Sequence, residues 1–124
     1  MMLLDDKFYR IAAVAKDNEH VATYTIELLA DCTVYQGHFP GKPVCPGVCN
    51  IQTIKECAMR LLGENLCFKT IKQCRLTAVA TPATCPVLLV RIQTTPTEEG
   101  YQLQASIYNQ SQTYMELKGT LIKT

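Results

Sequence analysis

Three observations predict an α+β domain in which one long helix packs on an antiparallel sheet of about five or six strands. Apolar residues repeat at helical spacing in a single stretch, Pro46 to Leu62. Beyond Leu62 the chain reads as strand throughout. Short polar turns join the last three strand segments, which favours a meander. The 124 residues suit one domain, 1–124, able to bury roughly two-thirds of its unfolded surface.

Phe8 to Ala15 is a first strand, and the polar run Lys16-Asp17-Asn18-Glu19-His20 makes a turn. Val21 to Leu29 alternates Val21, Thr23 and Thr25 against Ala22, Tyr24 and Ile26, the pattern of a half-buried strand. A loop rich in Gly and Pro leads into the helix. There Val48, Ile51, Ile54, Ala58 and Leu61 form one apolar stripe, and Gly63 stands where a C′ glycine would end it. Cys67 to Val79 reads as a strand, and Thr81-Pro82-Ala83-Thr84 as a loop. Val87–Thr94, Tyr101–Tyr108 and Tyr114–Ile122 complete the sheet, with tyrosines packed on its faces. Neither repeats nor an interdomain linker interrupt this order.

Net charge is near balance at +1, with no Lys/Arg run, so nucleic acid is not an expected partner. The stretch Met1-Met2-Leu3-Leu4-Asp5-Asp6 has acids where a signal peptide would be basic, and no segment is apolar for a membrane's width. A cytoplasmic protein without membrane insertion is the expectation. Seven cysteines include no C-x-x-C pair, and the two histidines, His20 and His38, make no zinc spacing with them. They read as small hydrophobes in a reduced core, with no metal, no disulfide and no cofactor.

The most informative stretch is Gly37-His38-Phe39-Pro40-Gly41-Lys42-Pro43-Val44-Cys45-Pro46-Gly47-Val48. It sets one histidine in a stiff loop that runs directly into a helix N-terminus. His38 titrates near neutrality, which suits a general base, and the prolines restrict the backbone around it. Gly47 at the helix entry offers an unpaired N–H and close backbone approach, which suits an oxyanion. This run resembles the active-site loop of the β-hydroxyacyl-ACP dehydratases of fatty-acid synthesis. The resemblance is close from Tyr35 to about Leu62, and it extends through Ile71-Lys72-Gln73-Cys74-Arg75-Leu76.

That resemblance implies a hot-dog fold, in which the sheet wraps the helix and two copies form a dimer or a higher oligomer of dimers. It implies His38 as base and the Gly47 N–H as donor to the thioester carbonyl. Phe39, Val44, Pro46 and Val48 would then line an apolar acyl channel. The substrate would be a β-hydroxyacyl thioester carried on acyl carrier protein or on CoA.

One position departs from the family. A catalytic Glu or Asp is expected fourteen residues after the histidine, and the chain has Gln52 there. An amide orients a hydroxyl but gives it no proton at neutral pH. Glu56 lies one turn on, on the same helical face, so the chain reads Gln-x-x-x-Glu where Glu-x-x-x-Gln is usual. If that face lines the acyl tunnel, Gln52 orients the β-hydroxyl or a water and Glu56 supplies the proton. Alternatively, Glu56 is a solvated residue paired with Lys55, Arg60 or Lys69.

Two other functions fit the same residues. One is an acyl-thioester-binding subunit that has lost its acid and partners an active homologue. The other is a hot-dog thioesterase whose Glu56 activates water. Lys42, Arg60, Lys69, Lys72 and Arg75 could face an acidic carrier protein, although such spacing also suits a solvated strand.

Overall fold

In the computed structural model, residues 8–29, 47–78 and 86–124 are described. They contain six strands and one helix: β1 (Tyr9–Asn18), β2 (Val21–Leu28), α1 (Gly47–Leu62), β3 (Leu66–Leu76), β4 (Val87–Pro96), β5 (Gly100–Tyr108) and β6 (Thr113–Lys123). The strands form one antiparallel sheet in the order β1-β2-β4-β5-β6-β3. Among the described residues, strand count, helix count and the β4-β5-β6 meander are those the sequence predicts, and they suit a hot-dog arrangement. His38, Phe39, Val44 and Pro46 lie outside the described residues, as do the loop around His38 and the 81–84 loop.

Period-two alternation builds the core. Tyr24 on β2 faces Val90 on β4, Val90 faces Ile107 on β5, and Ile107 faces Met115 on β6. All four are buried, so this row crosses the centre of the sheet's inner face. A second row joins Ala22, Ile92, Ala105 and Leu117, again all buried. Such rows are how a half-covered antiparallel sheet buries one face while the other stays wet.

The helix lies on that inner face against β2, β3 and β4. Of the apolar stripe, Ile54, Ala58 and Leu61 are buried and Ile51 packs against the core. Gly63 ends the helix in the left-handed region at φ 66°, and its N–H bonds the Met59 carbonyl at 2.8 Å. A C′ glycine does this without a Cβ penalty. Just beyond it, Glu64 accepts the Tyr101 hydroxyl at 3.2 Å and pairs with Lys123 at 3.6 Å. Those contacts tie the helix end to β5 and β6.

The two edge strands are mostly exposed. On β1, Val14 is 48% exposed; on β3, Ile71 is 41% and Leu76 51% exposed. Cysteine burial divides accordingly. Cys49 and Cys57 on the helix are buried, whereas Cys74 on β3 is exposed, which corrects the expectation that every cysteine is core. An edge strand has little to cover it, so its apolar residues stay accessible. Among the described residues no helix is long and apolar enough to cross a membrane.

Candidate active site

The site is built along α1. Gly47 is its first residue and no acid occupies its first turn, so nothing acidic there offsets the partial positive charge of the helix start. Val48 follows within the same turn. With a rise of about 1.5 Å per residue, Gln52 stands roughly 7.5 Å along the axis from Gly47 and Glu56 roughly 13.5 Å. An oxyanion held at the helix start is therefore nearer to Gln52 than to Glu56.

Gln52 and Glu56 share a face and touch. Gln52 Nε2 donates to Glu56 Oε2 at 2.8 Å. The other carboxyl oxygen, Oε1, accepts from the Tyr9 hydroxyl at 2.8 Å. Glu56 and Tyr9 are both 0% exposed, while Gln52 is half-buried. Burial at that level overturns the alternative of a solvated Glu56. Lys69 pairs instead with Glu99 at 2.5 Å, out on the exposed β3 edge.

The ground beneath the pair is dry. Burial, and then the neighbouring Glu56 charge, push the Cys57 thiol far up from its ordinary range. Burial, and then Cys57, push the Tyr24 phenol up to about 12. Both groups stay neutral around physiological pH. A carboxyl in such surroundings needs fixed donors, and Tyr9 and Gln52 provide them.

Tyr9 is the member that sequence reasoning missed. It opens β1, and 47 positions separate it from Glu56. Its strand pattern marks it as packed, and no local spacing connects it with the helix. The candidate cations Lys72 and Arg75 lie on exposed stretches of β3, as a solvated strand face would have them.

A family model described as ApeI-like, ApeI dehydratase, matches residues 14–116. A solved structure titled the dehydratase heterocomplex ApeI:P, from Xenorhabdus doucetiae, has the same fold. It superposes with a TM-score of 0.78 at 22% identity, covering 92% of this chain and 97% of that one. An uncharacterized protein from Erwinia carotovora subsp. atroseptica superposes at 0.67 with 19% identity, covering 93% and 92%. A comparison with curated protein sequences finds no match.

Proposed function

From membership of the ApeI-like dehydratase family, to which this chain belongs, we propose that it dehydrates β-hydroxyacyl thioesters. The acyl group would be borne by acyl carrier protein or CoA, in cytoplasmic synthesis of fatty acids or related acyl chains. The observation that carries this reading is the hydrogen bond from half-buried Gln52 to fully buried Glu56 downstream of the Gly47 helix start.

In the proposed elimination, His38 removes the α-proton and the electrons of that C–H bond form the Cα=Cβ double bond. Charge building on the thioester oxygen is met by the Gly47 N–H. The Cβ–O bond breaks, and the hydroxyl oxygen takes a proton from Glu56 and departs as water. Gln52 orients the β-hydroxyl, or a water beside it, for that transfer. Phe39, Val44, Pro46 and Val48 line the acyl channel. A homodimer completes the site, and the exposed β3 edge with Ile71 and Leu76 supports pairing with a second chain.

A second reading rests on the same pair. Both oxygens of Glu56 already accept hydrogen bonds, which suits an ionised group that holds structure. The chain would then bind acyl thioester and leave proton donation to an active homologue. The solved ApeI:P structure is a dehydratase heterocomplex, with which such an arrangement is compatible.

Incubating the purified chain with a 3-hydroxyacyl thioester separates the possibilities. Enoyl thioester formed without free thiol is the expected outcome. Free thiol would mean a thioesterase, and no reaction until a homologous subunit is added would mean a binding subunit.

A further inference from the structure

We propose that Tyr9 is a positioning residue of this site, one that fixes the orientation of the Glu56 carboxyl. The proposal rests on the dehydratase reading above.

The phenol has one proton, and it keeps that proton across the neutral range. Tyr9 donates it to Oε1 of Glu56 at 2.8 Å, so Oε1 serves as an acceptor. The other oxygen, Oε2, accepts from Gln52 Nε2 at 2.8 Å, so the carboxyl is held at both ends. Gln52 is the more exposed member of the pair. Once Glu56 gives its proton to the departing hydroxyl, the carboxylate left behind keeps the Tyr9 donation, and such charge-assisted bonds are stronger than neutral ones.

The support behind Tyr9 is stiff. It pairs with Leu28 across β1 and β2. The adjoining Phe8 carbonyl accepts the Leu29 N–H at 2.9 Å. Its ring is fully buried, so packing holds the hydroxyl in place without further adjustment. The first strand thereby reaches across the core to set the geometry of the helix pair.

Tyr9→Phe removes one oxygen and keeps the ring. With a 3-hydroxyacyl thioester it should lower kcat about tenfold, the effect of a lost hydrogen bond to a charged group, with KM unchanged. In a Glu56→Gln background the same substitution should have almost no effect on kcat, because Tyr9 acts through Glu56. An equal loss in both backgrounds, or none in either, would overturn the proposal.

Exchange of the Gln52 side-chain amide protons, followed by nitrogen-15 NMR, needs no turnover. The resonance is identified by its disappearance in Gln52→Ala. Tyr9→Phe should speed that exchange about tenfold as Glu56 loosens its hold; unchanged exchange would overturn the positioning role. If exchange responds while the wild-type chain dehydrates nothing, the positioning of the pair stands and the dehydratase reading falls.

Discussion

Gln52 donates to Glu56 across a single helical turn, Nε2 to Oε2 at 2.8 Å, so amide and carboxyl act as one hydrogen-bonded unit. The resemblance implies the carboxyl first and the amide second. Positions i and i+4 are neighbours on a helix face, and one donor facing one acceptor is satisfied in either order. The order found here places the carboxyl one turn further along α1 and keeps that bond.

Placing a second carboxyl at position 52 removes the donor. Gln52→Glu should lower stability at pH 7 by about 1–3 kcal/mol, since like charges would meet where one of them is fully buried. The loss should shrink as pH falls through the carboxylate range. In the folded variant the pair binds a shared proton more tightly than it does unfolded, so its stability rises on acidification. Adding Glu56→Gln to that variant should restore most of the loss at pH 7, because one donor again faces one acceptor. Urea unfolding at two pH values measures both effects.

The Tyr24 phenol is held up at about 12, first by burial and then by Cys57. Between the ordinary phenol value of about 10 and that value, the unfolded chain loses this proton and the folded chain keeps it. Stability from this residue is therefore complete below about pH 10 and is lost as pH rises toward 12. Tyr24→Phe should flatten that part of the alkaline unfolding profile.

Thiol reactivity should follow position in the sheet. Cys74 on the exposed β3 edge should react readily with a maleimide in the native protein. Cys57 is buried and its thiol is pushed up, so it should label only on unfolding. Peptide mapping of partially labelled protein separates these sites.

Gly119 sits between β3 and β5, facing Ile71 on one side and Leu103 on the other. A Cβ there would lie 2.5 Å from the Thr70 carbonyl oxygen. Backbone on β3 would have to shift, so Gly119→Ala should cost about 1–3 kcal/mol. Thermal unfolding checks it, and the loss of order should begin at the β3 edge.

The elements were legible because each has a strong local period. The stripe of α1 and the alternation of β2 and β4–β6 are properties of neighbouring residues, and Gly63 marks a stop on chemistry alone. What could not be read is what joins distant residues. Nothing local says that β3 leaves the helix to pair with β6 at the sheet's edge, which is why Cys74 reads as core. Nothing local pairs Tyr9 with Glu56 either. The helical repeat did place Gln52 and Glu56 together, but it could not decide between a solvated carboxyl and a buried one. That required the sheet beneath them.

The most direct measurement is the dehydration rate of a 3-hydroxyacyl thioester by the wild-type chain, His38→Ala, Glu56→Gln and Gln52→Glu. The account predicts turnover by wild type and losses of about 10²–10⁴-fold in both His38→Ala and Glu56→Gln, as expected for a missing base or acid. A silent wild type, with activity appearing in Gln52→Glu, would contradict it and show that the acid was lost rather than moved.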